Sequence, residues 1–195
     1  MLKTIQQLRS EYQNYANPDD KISRLVKQGK LFRLTKGWYE TSADTESVSL
    51  ISVFSAPCYL SFESALSWHG LIPERVCVQT CASPSRKSRL FSCKFGTYQY
   101  RYIPPAAFPY GLEWNTDFDA PFFLATPEKA LCDRIYKEKR LNRMDEMEQL
   151  LFMDLRVEEE DFMKLDLRRF ETLCPLYRTK NLELLLKAAR KWIRS

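Results

Sequence analysis

Apolar positions at the start of the chain recur at helical spacing. Ile5, Leu8, Tyr12 and Tyr15 predict an amphipathic helix over residues 3–15. Asn17-Pro18-Asp19-Asp20 then reads as a second helix start. Asparagine suits the N-cap, proline the first helical position, and the two aspartates the positive end of the helix dipole. Ile22, Leu25 and Val26 form one stripe for burial, which leaves Lys21, Ser23, Arg24, Lys27 and Gln28 on the outer face. Gly29 fits the left-handed position that ends a helix. Lys30–Leu34 and Trp38–Thr41 follow as two strands around Thr35-Lys36-Gly37. Helix, helix and hairpin is the layout of a winged helix. A full helix-turn-helix has three helices before the wing, and only two fit before Gly29. The module is a compact variant or one that has lost DNA affinity.

Further along, Ser61 reads as an N-cap for a helix that packs Ala65, Leu66 and Trp68 inward and ends at Gly70, with Pro73 preventing a restart. Thr126-Pro127-Glu128 opens another helix, with Leu131 and Ile135 on one face. On this reading Glu63, Glu128 and Asp133 are capping or helix-end residues rather than catalytic acids. His69 sits at a helix C-terminus, where a structural role is favoured. Val76–Thr80, Thr97–Ile103 and Phe122–Ala125 are strand-like. Ser83–Lys94 connects the first two as a polar hairpin loop, and Pro104-Pro105 and Pro109 mark an extended connection. The tail is helical: Met144, Met147, Leu150, Leu151 and Leu155 form a stripe, followed by amphipathic segments over Phe162–Leu173 and Leu182–Ile193. The prediction is an α+β chain in two units. Residues 1–42 form a winged-helix-like module. Residues 47–195 form a mixed domain with a short sheet and C-terminal helices.

Charge sharpens this picture. The chain carries +5, and residues 1–40 hold eight Lys/Arg against four acids. Nearly all of the excess therefore lies in the first fifth, which favours a polyanionic partner. A solvated helix face beside a structural hairpin would look the same by charge alone. The candidate DNA contacts are Lys21, Ser23, Arg24, Lys27, Lys30, Arg33 and Lys36. Arg86, Lys87, Arg89 and Lys94 form a second acid-free basic stretch, either an exposed loop or a second phosphate or partner contact. The tail mixes both signs, which argues against a nucleic-acid tail.

Enzyme signatures do not appear. The sequence has no Walker loop, Gly-rich dinucleotide turn, Gly-x-Ser-x-Gly elbow or His-Glu-x-x-His. Its lone histidine removes most general-base arrangements. Six cysteines at 58, 77, 81, 93, 132 and 174 lack zinc-knuckle spacing and read as small buried hydrophobes in a reducing compartment. Neither a metal nor a cofactor is expected. With no signal-peptide core and no apolar run of about 20 residues, the expected location is cytoplasmic, with no membrane partner.

The ordered string Lys21-Ile22-Ser23-Arg24-Leu25-Val26-Lys27-Gln28-Gly29-Lys30-Leu31-Phe32-Arg33-Leu34-Thr35-Lys36-Gly37-Trp38-Tyr39 resembles the recognition helix and wing of AbiEi-family antitoxins. Tyr59-Leu60-Ser61-Phe62-Glu63-Ser64-Ala65-Leu66-Ser67-Trp68-His69-Gly70-Leu71 is similar to a second segment of that family. Ala125-Thr126-Pro127-Glu128-Lys129-Ala130-Leu131-Cys132-Asp133 is similar to a third. The likeness spans roughly residues 20–140. It implies a transcriptional autoregulator of a type IV toxin–antitoxin operon, used in phage defence. Its N-terminal domain would bind the double-stranded operator. Its larger domain would oppose a nucleotidyltransferase-type toxin, with or without direct contact, and no chemistry of its own is implied. A small module predicts a homodimer on an inverted repeat. The alternative is an interaction protein whose winged helix is vestigial.

Overall fold

Thr4 decides how the chain begins. Its hydroxyl accepts the Gln7 N–H at 3.3 Å, and the Gln7 side chain accepts the Thr4 N–H at 2.7 Å. This reciprocal cap starts a helix. In the computed structural model, which describes residues 1–74, 76–118 and 120–193, Leu2–Thr4 is accordingly a strand, β1, and the helix α1 covers Ile5–Glu11. The predicted helix over 3–15 was too long at both ends. Tyr12 is the C-cap, and Tyr15 meets it edge-on at 5.9 Å beyond the helix.

The second helix follows its local signals. In α2 (Pro18–Lys27) the Asn17 side chain accepts the N–H groups of Asp19 and Asp20 at 3.1 and 3.3 Å. Gly29 takes φ +68° beyond the C-cap Gln28. Strands β2 (Phe32–Thr35) and β3 (Trp38–Glu40) form the hairpin, with Gly37 at φ +83°. β1 adds to the far side of β3, giving an antiparallel sheet in the order β1-β3-β2.

Both faces of this small sheet are covered. Tyr39 joins Leu8, Ile22 and Leu31 in a small core under α1 and α2. Leu2, Glu40 and Phe32 stand opposite one another across the strands, so they share the other face. Leu2 and Leu34 pack into the core of the larger domain, and Phe32 meets Phe95 edge-on at 5.6 Å. Glu40 is buried there, accepting the N–H groups of Thr41 and Ser42 at 2.8 and 2.9 Å and pairing with the Met1 amine.

The larger domain is built on a six-stranded mixed sheet. After a 3-10 turn (Ser47–Leu50) and the short helix α3 (Ile51–Phe54), the chain forms β4 (Tyr59–Leu60) and α4 (Phe62–Trp68). Next come β5 (Val78–Ser83), β6 (Arg89–Cys93), β7 (Gly96–Tyr102), β8 (Leu112–Asn115) and β9 (Phe122–Ala125). The order is β6-β7-β5-β4-β9-β8, with β5/β7 and β4/β9 parallel and the other pairs antiparallel. The helices are α5 (Pro127–Tyr136), α6 (Met144–Glu148) running into a π-helical turn (Gln149–Asp154), α7 (Glu159–Met163), α8 (Leu167–Tyr177) and α9 (Lys180–Trp192). The fold is α+β. Among the described residues, no helix is long and apolar enough to cross a membrane.

Four expectations are corrected. Ser83–Lys94 is not a loop throughout, because Arg89–Cys93 pairs with β7 as an edge strand. Residues 104–109 fold into a turn rather than an extended connection, with the Ala107 and Phe108 N–H groups on the Pro104 carbonyl at 2.9 and 3.0 Å. The segment Phe162–Leu173 is two helices, because the Asp166 side chain accepts the Arg168 N–H at 2.8 Å and starts α8 afresh. Ser61 holds the N-cap position of α4 as expected, but its side chain makes no cap bond, and Trp68 is exposed rather than packed inward. Of the tail cations, Arg194 lies outside the described residues.

Candidate nucleic-acid interface

The burial of Ile22 turns the opposite side of α2 to solvent. Ser23, Arg24 and Lys27 are exposed, as are Lys30, which lies in the turn after α2 rather than in the strand expected of it, and Arg33 and Lys36 on the hairpin. Lys21 is half-buried and turns back, its Nζ 4.7 Å from the centre of the Tyr15 ring. Among the described residues, the module's eight Lys/Arg form only two ion pairs, Lys3–Glu11 and Arg9–Asp19. Lys21, Arg24, Lys27, Lys30, Arg33 and Lys36 have no carboxylate within ion-pair distance among the described residues. The larger domain is mixed: among the described residues Arg101, Arg134, Arg143, Arg156, Arg169 and Arg190 have acidic partners, whereas Arg86, Lys87, Arg89, Lys94, Arg140 and Arg178 do not.

Not all predicted contacts converge. A groove of roughly 550 Å³ runs between the two helices and the hairpin, lined by Ser23, Arg33 and Lys36 together with Arg9 and Asp19. Arg24 and Lys27 lie on the outer side of α2 and do not line it. Arg9 was absent from the sequence-based set. It reaches the groove from α1, ten residues away from Asp19 in the chain, and no local pattern signals that meeting.

The second basic stretch is divided by the edge strand. Arg86 and Lys87 precede β6, Arg89 starts it, and Lys94 lies in the turn to β7, all exposed. Lys94 Nζ sits 3.7 Å from the centre of the Phe32 ring, so this end of the stretch adjoins β2 of the small N-terminal sheet. Arg89 is five residues back along an extended strand, about 17 Å at ~3.4 Å per residue. The cations thus continue from the hairpin along the β6 edge of the larger sheet. Charged edge strands also discourage sheet-to-sheet aggregation, a role that needs no ligand.

The two other family-like segments meet in the core. Asp133, fully buried, accepts hydrogen bonds from the Tyr59, Ser61 and Tyr177 hydroxyls at 2.8, 2.7 and 2.5 Å. Lys129, also fully buried, lies 3.1 Å from Asp133 and donates to the Ala107 carbonyl and the Tyr177 hydroxyl at 2.8 and 2.6 Å. Every ammonium proton and both carboxylate oxygens have partners. Burial, then the Asp133 charge, pushes the Tyr59 and Tyr177 hydroxyls well above their ordinary pKa. They stay protonated donors. The network ties β4, α5, α8 and the 104–109 turn together.

Asp133 is therefore a core residue and not a helix-end cap. Glu63 pairs with Arg101 and Arg134 at 2.8 and 2.9 Å. Glu128 accepts the Asp166 N–H at 3.0 Å and holds the start of α8. Thr126 is the cap that its position predicts, accepting the Lys129 N–H at 3.3 Å. His69 bonds the Ala125 carbonyl at 2.8 Å from Nε2.

The cysteines differ in access. Cys58, Cys81, Cys132 and Cys174 are buried, Cys93 is half-buried and Cys77 is exposed, just ahead of β5. Burial pushes the Cys58 thiol up to about 11 and Cys81 well above its ordinary value. Reaction with a thiol reagent is expected to modify Cys77 first, with the four buried thiols reacting only after unfolding. Rapid labelling of Cys58 or Cys81 in native protein, located by mass spectrometry, would contradict this packing.

Two comparisons with known proteins bear on identity: no family model matches the chain, and no curated protein is similar enough to match it.

Proposed function

We propose that the chain is an antitoxin-type transcriptional autoregulator resembling the AbiEi family, whose N-terminal module binds double-stranded operator DNA. Its larger domain opposes a nucleotidyltransferase-type toxin and catalyses nothing. The observation that carries this reading is the clustering of six cations, without a carboxylate partner among the described residues, on α2, the turn after it and the hairpin, two of which, Arg33 and Lys36, line the groove between these elements. Unpaired surface cations displace counterions from a duplex and gain affinity by their release. In the proposed pose α2 enters a major groove, and Arg33 and Lys36 touch the backbone or the adjoining minor groove. Arg86, Lys87, Arg89 and Lys94 extend the footprint along β6.

Gel-shift titration on the region upstream of the gene, at two salt concentrations, tests this. Arg24→Ala should reduce discrimination between sites by about 1–3 kcal/mol if the arginine reads a base. Lys36→Ala should weaken all duplexes alike and lower the salt slope by about one unit. The protein should act in the cytoplasm, bind as a dimer on an inverted repeat, and neither cleave nor modify nucleic acids with divalent metals.

One observation favours a second reading, an interaction protein with a vestigial winged helix. The first turn of α2 carries Asp19 and Asp20, and the N-terminal residues of a recognition helix are the ones that approach base edges. Two carboxylates there oppose phosphates. Absence of binding by folded protein at low salt would select this reading.

A further inference from the structure

Resting on the DNA-binding reading, we infer that Arg9 of α1 is a further phosphate contact and that Asp19 is the buttress that positions it. Arg9 donates from Nε and Nη2 to the two Asp19 oxygens at 2.8 and 2.9 Å. This bidentate fork uses two of the five guanidinium N–H donors and fixes the plane of the group. Three donors remain free, at the rim of the groove lined by Ser23, Arg33 and Lys36. The fork also reduces the difficulty posed by the acidic first turn of α2 from two exposed carboxylates to one, that of Asp20. Asp19 is neutralised by Arg9, and the pair presents donors rather than bare negative charge. The Arg9 hydrogen bond holds the Asp19 carboxyl below its usual range, so both partners stay ionised at neutral pH.

Stability is a poor alternative account of the pair. Its side chains are 54% and 55% exposed, and exposed ion pairs contribute little to folding. Asp19 needs no arginine to serve the helix start, where the dipole already favours it.

The test uses the full chain, a duplex from the region upstream of its own gene, and a scrambled duplex of equal length. Affinity is measured by fluorescence anisotropy between about 50 and 200 mM salt. Arg9→Ala is expected to lower the salt slope by about 0.9 unit on both duplexes. Asp19→Asn keeps the cation but frees it, so the slope should stay at the wild-type value while discrimination between the duplexes is lost. Lys36→Ala serves as the positive control and Lys164→Ala, an exposed cation of the larger domain, as the negative one. Unchanged thermal unfolding in the Arg9 and Asp19 variants separates contact from folding. If Lys36→Ala lowers the slope and Arg9→Ala does not, the inference about Arg9 is overturned and the DNA-binding reading stands. If the folded wild-type chain binds neither duplex at low salt, that reading fails and takes the inference with it.

Discussion

Asp133→Ala is expected to destabilise the protein by about 3–5 kcal/mol, because it leaves a buried ammonium without its counter-charge. Lys129 and Asp133 are both fully buried. Removing the carboxylate also strands the Tyr59, Ser61 and Tyr177 hydroxyls that donate to it. An unsatisfied buried donor costs about 1–3 kcal/mol, although such penalties within one network do not add. Against a typical stability of about 5–15 kcal/mol, the loss is a large fraction of the whole. Urea unfolding gives the value. Lys129→Met should cost a similar amount, while Lys129→Met with Asp133→Asn should cost less than the two single changes summed. A loss below about 1 kcal/mol for Asp133→Ala would mean that the site relaxes or admits water.

The same core gives a pH dependence. Burial raises the pKa of Tyr59, Tyr98, Tyr100 and Tyr177 above the ordinary value. Unfolded tyrosine ionises near about pH 10, so the folded state binds fewer hydroxide equivalents and loses stability as pH rises past that value. Denaturant midpoints that stay flat through that range would contradict the burial of these hydroxyls.

Leu8→Ala should cost about 2–5 kcal/mol, the usual range for truncating a buried leucine. Leu8 is 1% exposed, and among the described residues its core has Ile22, Leu31 and Tyr39 as its other buried members. So small a core has few neighbours able to collapse into the cavity. The loss should fall mainly on α1 and α2, since the hairpin and β1 are also held by the separate, larger core through Leu34 and Leu2. Hydrogen exchange should rise first in residues of α1 and α2, while α5 and β7 keep their protection. Nucleic-acid affinity should fall with it. Uniform loss of protection across both units would show instead that they unfold together.

Elements with local signals were legible without a structure. Asn17-Pro18 and Thr126-Pro127 each carry a cap and a proline at the first helical position, and both helices start there. Gly37 lies in the hairpin turn that its neighbours predict. The helical spacing of Ile22, Leu25 and Val26 was enough to decide which side of α2 faces solvent, and with it the exposure of Ser23, Arg24 and Lys27. Such features depend on contacts within a few residues, which the sequence states directly.

The rest required the tertiary structure. Leu2–Thr4 is a strand because β3 offers it a free edge, although the apolar spacing from Ile5 onward runs without a visible break. Arg89–Cys93 is a strand because β7 lies beside it. Arg9 meets Asp19, Lys94 meets Phe32, and Asp133 joins Tyr59 and Tyr177, each across a separation that no periodicity covers. Asp133 looked like a helix-end acid because its sequence neighbours are those of an ordinary amphipathic helix. Its partners come from β4, α5 and α8, and only their packing removes the carboxylate from water. Local propensity is set by a residue's own backbone and nearest neighbours, whereas burial and ion pairing depend on which distant surfaces close over it.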